Sequence, residues 1–184
     1  MTSKTKIAFH FAAAMVLLLV FGCESNFKDV QKINYSEFTP SGEAENFNLK
    51  YTDSGRIKSI LISPVMLDYA TVEFPFTEFP KGIDVTIYDD KGKRTFVKSD
   101  YAIQFKGTDL IDLQGNVRIS TETGQLMETT QLYFDQKNEW FYTEKRFKFT
   151  DPKGISNGEG IDFSKDFKII NSQKISGEID QDEQ

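Results

Sequence analysis

The stretch Leu110-Ile111-Asp112-Leu113-Gln114-Gly115-Asn116-Val117-Arg118-Ile119 reads as one continuous strand with a glycine in its middle. An interior glycine weakens a strand unless the chain bulges or bends there, since it adds backbone freedom and packs nothing. Leu110 and Ile111 before it, with Val117 and Ile119 after it, predict a strand that turns a corner between two sheets. The competing reading is a tight two-residue turn at Gly115-Asn116, against which stands the lack of further turn residues in the flanks.

Outward from this stretch the pattern stays strand-like. Towards the N-terminus, Phe47, Leu49 and Tyr51 alternate with polar neighbours, and Thr52-Asp53-Ser54-Gly55 makes a turn. Ile60 and Ile62 mark a second strand. Val85 and Ile87 mark a third, closed by Asp89-Asp90-Lys91-Gly92-Lys93, and Tyr101, Ile103 and Phe105 follow. Towards the C-terminus, turns fall at Thr121-Glu122-Thr123-Gly124, Asp135-Gln136-Lys137-Asn138 and Asp151-Pro152-Lys153-Gly154, before a last strand from Phe167 to Ile175. Runs of Val, Ile, Phe, Tyr and Thr between evenly spaced Gly, Asn and Asp turns predict successive antiparallel hairpins. No apolar stripe of helical period is present after the first 23 residues, and Ser63-Pro64-Val65-Met66-Leu67 is expected to hold a short helical turn at most. The expected fold is all-β, a meandering sheet that curls to cover its apolar face.

The first residues read differently. Lys4 and Lys6 precede an apolar run from Ile7 to Gly22, and Cys23 is the single cysteine of the chain. A basic flank, a short apolar run and a small residue before a cysteine form a lipoprotein-type signal. The run is short for a membrane span, which needs about 20 apolar residues. Phe21 stands where a smaller residue is usual, so the alternative is an uncleaved N-terminal anchor. The expected organisation is a signal segment over residues 1–22, a tether over 23–43, a β domain over 44–179 and an acidic tail over 180–184, with the body outside the cytoplasm and held at a membrane.

Composition narrows the function. The chain has 184 residues and a net charge of −6; removing Lys4 and Lys6 with the signal takes it to −8. His10 is the sole histidine and would leave with the signal, as the sole thiol would be acylated. Without His or a free Cys, the usual general base, the commonest zinc ligands and thiol nucleophiles are missing, so no metal and no cofactor is expected. The acidic balance argues against nucleic acid and against strong phosphate binding. Lys81, Lys91, Lys93 and Arg94 form a small basic neighbourhood that reads as solvated turn residues. For catalysis only carboxylate pairs remain, Asp89-Asp90 and Glu159/Asp162, in the manner of a glycosidase. Adjacent aspartates in a Gly- and Lys-rich turn are ordinary turn formers, and no nucleophile or phosphate-loop motif occurs. No catalytic residue is assigned. A carbohydrate-binding or adhesive surface lipoprotein with a β-sandwich fold is the alternative, and Trp140, the one tryptophan, would be its aromatic platform.

A series of short pieces occurs in a telling order: Phe79-Pro80-Lys81-Gly82-Ile83, Leu113-Gln114-Gly115-Asn116-Val117, Gly124-Gln125-Leu126-Met127-Glu128-Thr129, Leu132-Tyr133-Phe134-Asp135-Gln136, Phe141-Tyr142-Thr143-Glu144-Lys145 and Gly158-Glu159-Gly160-Ile161-Asp162-Phe163. Together they resemble the LptC family of lipopolysaccharide-transport proteins, in the lipoprotein-anchored form of Bacteroidetes-like bacteria, over roughly Ala44 to Gly177. The resemblance implies an open antiparallel β-jellyroll like that of LptA and OstA, two sheets forming a trough open at both ends for lipid A acyl chains. It implies partners too: the periplasmic domains of an inner-membrane ABC transporter permease, and a periplasmic LptA-like jellyroll protein. On this reading Val85, Ile87, Ile103, Phe105, Val117, Ile119, Leu132, Phe134, Phe147, Phe149 and Phe163 line the trough. Phe47, Leu49 and Tyr51 mark one partner edge, and Ile169, Ile170 and Ile175 the other. Cys23 is the lipidation site that holds the chain in the periplasm at the inner membrane. Large apolar side chains inside a curled sheet accommodate acyl chains without polar recognition, at about 0.8 kcal/mol per buried methylene.

Overall fold

The computed structural model describes residues 39–179. The signal segment, Cys23, the tether up to residue 38 and the tail at 180–184 lie outside those residues.

Among the described residues the secondary structure is antiparallel β, with no helix. The strands are β1 (Gly42–Asp53), β2 (Arg56–Tyr69), β3 (Phe76–Phe79), β4 (Ile83–Tyr88), β5 (Arg94–Ser99), β6 (Tyr101–Phe105), β7 (Leu110–Thr121), β8 (Leu126–Asp135), β9 (Trp140–Asp151), β10 (Gly154–Ser164) and β11 (Ile170–Ile179). β1 thus begins two residues before the expected domain boundary at Ala44. The last strand also differs from expectation: Phe167, Lys168 and Ile169 belong to the loop before β11, where the Phe167 N–H donates to Ser164 O and turns the chain.

The pairing explains how one sheet makes two layers. β7 pairs with β8 on one side; on the other its first half pairs with β6 and its second half with β5. β2 repeats the scheme, with β1 on one side, and β4 then β3 on the other. Since β3 pairs with β6 and β4 with β5, six strands close a ring, β2-β4-β5-β7-β6-β3. A flat sheet cannot close in this way, so the long strands bend and the two halves fold over one hydrophobic cluster. The result is a β-jellyroll. The layer with β4 and β5 is called here the first layer, and that with β3 and β6 the second.

The bend lies where the glycine of the opening stretch placed it. Gly115 (φ +72°) and Asn116 (φ +42°) interrupt β7, and the β7–β8 ladder slips between Gln114 and Val117. Asp100, at the crossing from β5 to β6, donates its N–H to Gly115 O at 2.9 Å and accepts from Asn116 Nδ2. A Cβ on Gly115 would stand 3.0 Å from Asp100 Cβ, so both φ and space demand glycine. The same line crosses the other long strands. The β8–β9 ladder slips between Thr129 and Tyr133, and the β9–β10 ladder between Glu159 and Ile161. In β1 and β2 the ladder skips Asn46 (φ +51°) and Pro64. Proline has no N–H to give to a ladder, and at the bend none is asked of it. The helical turn expected at Ser63–Leu67 is therefore replaced by continuous, bent strand.

Breaking ladders inside a core frees backbone groups that must be satisfied. Buried hydroxyls do this. Ser63 Oγ lies 2.7 Å from Gly82 O and 2.8 Å from Val65 O, Thr129 Oγ1 donates to Arg146 O at 2.8 Å, and Thr143 Oγ1 accepts from the Lys145 N–H at 3.0 Å. Ser99 is also buried, but among the described residues its hydroxyl has no hydrogen-bond partner. Two serines of equal chemistry should then respond oppositely to substitution. Ser63→Ala is expected to cost about 1–3 kcal/mol, while Ser99→Ala is neutral or stabilising. Urea unfolding of both variants checks this, and equal losses would refute the assignment of Ser63 to the bend.

Candidate functional site

Residues directly opposite one another in an antiparallel ladder point to the same face. The register therefore lists the inner face row by row. In the first layer one row runs Leu49, Leu61, Val85, Val97, Ile119, Met127, Phe149 across seven strands. Beside it lies Val117, Thr129, Phe147, Gly158, Ile175. In the second layer the rows are Phe79, Ala102, Leu113, Leu132 and Ile111, Phe134, Phe141, Phe163, Ile170. Of the eleven residues expected to line a trough, nine stand in or beside these rows, since Ile87 neighbours Val85 on the same face of β4.

Ile103 and Phe105 do not. Ile103 shares its row with Asp112, Tyr133 and Tyr142, and Phe105 with Leu110, Asp135 and Trp140, which form the outer face of the second layer. Alternation along β6 suggested the reverse, because Tyr101, Ile103 and Phe105 are its large residues. Their outer face is partly covered by its own rings. Tyr69 and Phe76 stack at 4.5 Å, Tyr133 and Tyr142 at 5.2 Å, and Tyr101 Oη donates to Glu78 at 2.7 Å. Burial, with the Glu78 carboxylate beside it, pushes the Tyr101 phenol well above the usual tyrosine range. Trp140 is half-buried, and its indole N–H is held by Asp162 at 3.1 Å, so it is not a free platform. Asp162 also accepts from Asn171, Asp89 from the N–H groups of Lys91 and Lys93, and Asp90 from Lys58. Three of the four carboxylates considered for catalysis thus hold turns and strands together, and the fourth, Glu159, is exposed.

Between the layers the centre is filled rather than open. Val117, Ile119, Met127, Leu132, Phe141 and Phe163 have no solvent exposure. Phe134, Phe141 and Phe163 stack in succession at 4.4 and 5.3 Å. Phe167 then stacks on Phe163 of the second layer at 4.6 Å and on Phe149 of the first at 5.6 Å. One loop residue, at φ +56°, thereby joins the two halves at one end. The strand pattern around it gave no warning, because Phe167 reads as the start of β11. A trough open at both ends is not what these side chains form.

The inner face does open at its two margins. Among the described residues β1 and β11 are the end strands of the sheet, each paired on one side only. There the inner rows finish in uncovered apolar side chains: Leu49 is 50% exposed and Tyr51 59% on β1, and Ile170 is 37% and Ile175 63% on β11. Ile169 is exposed too, but in the loop rather than on the edge. Phe47 is partly buried against Phe79, 6.0 Å away. Next to Ile175 the β10 backbone is bare, and Phe147 lies so close over Gly158 that a Cβ there would sit 2.6 Å from its ring.

Comparison with known families agrees with this geometry. The family described as lipopolysaccharide-assembly, LptC-related, matches residues 8–174, and the chain belongs to that family. It is accordingly an envelope protein of lipopolysaccharide transport. Comparison with curated proteins found no match.

Phe167 and Ile169, two residues apart, should separate sharply in unfolding. Phe167→Ala is expected to cost about 3–5 kcal/mol, as for a core phenylalanine, and Ile169→Ala about 0.5 kcal/mol or less. Chemical denaturation of both variants measures the difference, and a loss at Phe167 no larger than that at Ile169 would contradict its place between the layers.

Proposed function

We propose that this member of the LptC-related family carries the acyl chains of lipopolysaccharide on its inner face, without chemistry, between an inner-membrane ABC transporter and a periplasmic LptA-like jellyroll protein. The observation that carries the reading is the pair of inner rows that end in uncovered apolar residues at unpaired edges. A closed β-sandwich has no use for Leu49 and Ile175 on the inward side of its last strands. A carrier that passes lipid sideways needs apolar surface continuous to the edge and a backbone edge ready to accept another strand. On this proposal β1, with Phe47, Leu49 and Tyr51, meets the transporter's periplasmic domains. β11, with Ile170 and Ile175, pairs with the edge strand of the jellyroll partner, so that the two inner faces join. Acyl chains enter beside Val85, Ile87, Phe147 and Phe149 and take the place of Phe167 between the layers. The N-terminal segment holds the chain at the inner membrane, through acylated Cys23 or by remaining uncleaved.

Since Ile175 is exposed, a charge there should spare the fold. Ile175→Asp is expected to leave stability within about 0.5 kcal/mol of the parent. It should lower photo-crosslinking to the jellyroll partner, and transfer of lipid to it, by at least tenfold. Native mass spectrometry of the parent protein from a lipopolysaccharide-producing host should find lipid A-containing species bound. Undiminished crosslinking and transfer in Ile175→Asp would reject β11 as the exit edge, and protein free of lipid would reject the carrier role.

A further inference from the structure

We propose that the end of the roll lined by Phe167 is an anion site that takes a phosphate monoester, either on the sugar of an acylated glycolipid or as free phosphate. Three turns far apart in sequence enclose a cleft there of about 290 Å³: the β4–β5 turn, the β7–β8 turn and the β10–β11 loop. That volume is close to the lower bound of about 300 Å³ for ligand pockets.

The charge of this cleft runs against that of the chain. The sequence carries a net −6, yet the cleft is lined by Lys91, Lys93, Arg94 and Lys168 against three carboxylates. Those carboxylates are engaged. Asp89 accepts the backbone N–H groups of Lys91 and Lys93, each at 2.8 Å, and so fixes the turn rather than the ammonium groups. Glu122 accepts from Arg94 Nε and Nη2 at 2.8 and 2.6 Å, and the same guanidinium lies 5.5 Å over the Phe96 ring, which fixes its position. Asp166 holds Lys168. Among the described residues the side chains of Lys91 and Lys93 form no ion pair, so two cationic groups on one short turn border the cleft uncompensated. Thr121 and Thr123 also line the cleft, with their hydroxyls hydrogen-bonded to each other at 2.8 Å. A concave wall rich in cations focuses positive potential and suits a ligand with several acceptor oxygens and about two negative charges. From sequence the lysines of this turn were solvated bystanders beside Lys81. The fold leaves Lys81 out of the cleft and brings in Lys168 instead.

Phe167 gives the site its meaning for an amphiphile. It lines the cleft on one side and stacks on Phe149 and Phe163 on the other. A phosphate bound there is one ring away from the apolar centre, with its charge outside and any attached hydrocarbon pointing inwards. The lipid source rests on the carrier reading above; the anion site itself does not.

The test therefore uses separate probes. The full ¹⁵N-labelled chain in mild detergent is titrated with inorganic phosphate, and amide shifts at Lys91, Lys93, Thr123 and Lys168 are expected. Lys91→Ser/Lys93→Ser should bind phosphate at least tenfold more weakly with an unchanged unfolding midpoint, and Lys168→Ser is a second, independent variant. Native mass spectrometry then compares a phosphorylated acylated glycolipid with its dephosphorylated form. A tenfold preference for the phosphorylated lipid that both variants lose identifies the headgroup as the ligand. Phosphate shifts with no preference between the lipids identify free phosphate. No shifts and no preference overturn the proposal. In that case equal binding of both lipids would still leave the carrier reading standing, whereas binding of neither would remove it as well.

Discussion

The fold depends on making every long strand bend along one line without leaving backbone groups unsatisfied in a dry interior. A ladder broken in the core exposes N–H and C=O groups to a medium that cannot hydrate them, at about 1–3 kcal/mol for each group left unpaired. Here the breaks fall at Asn46, Pro64, Gly115-Asn116, Thr129–Tyr133 and Gly160, and short hydroxyl side chains meet groups that they free. Ser and Thr suit this work because their oxygen reaches neighbouring backbone without claiming volume from the core. The bend then allows β2 and β7 to belong to both layers, and the ring of six strands follows.

With the bend in place, packing is dominated by aromatic rings. Stacked rings run from Phe134 on β8 to Phe141 and Phe163 on β9 and β10, and Phe167 turns the series across to Phe149 in the other layer. Each offset pair adds about 0.5–1.5 kcal/mol beyond its buried area. The rings thus hold together two half-sheets with no disulfide available to do so, since the chain has one cysteine. Towards the edges the same face passes to aliphatic residues and to small ones, Ser156 and Gly158, which makes the rigid middle distinct from its margins.

Much of this was legible from the chain. Gly115 announced the corner, the turn residues gave the strand count its rhythm, and the ordered pieces from Phe79 to Phe163 gave the family. Facing was less legible, for a physical reason. Alternation assigns a face only while the ladder is unbroken, and each bulge resets it. In β8 the inward residues are Met127 and Thr129 before the bend but Leu132 and Phe134 after it; in β10 they are Ser156 and Gly158, then Ile161 and Phe163. Ile103 and Phe105 fell on the wrong side because β6 keeps its larger side chains for the outer face, in rows that also hold Phe76, Tyr133 and Tyr142. Phe167 was hidden by its neighbours, since a core residue in a loop beside an apolar strand looks like that strand's first residue. The bending hydroxyls were hidden as well, because Ser and Thr at alternating positions are common on any solvated strand.

A filled centre is compatible with lipid carriage on the magnitudes. Withdrawing a buried phenylalanine such as Phe167 costs about 1.5–3 kcal/mol of apolar burial. An acyl chain returns about 0.8 kcal/mol per methylene, so a few methylenes entering the vacated space already offset the loss. An interior kept open would bear the opposite burden, a lining without partner atoms or an apolar face wetted by solvent. Phe167 sits in a loop rather than a ladder, so moving it breaks turn contacts around Ser164 and Asp166 and no strand pairing. The ring that closes one end of the core is thus held by stacking and by turn contacts, not by a strand ladder. On the carrier reading the ring and the lipid occupy one space in turn, so release of lipid to a partner is helped by the return of the ring.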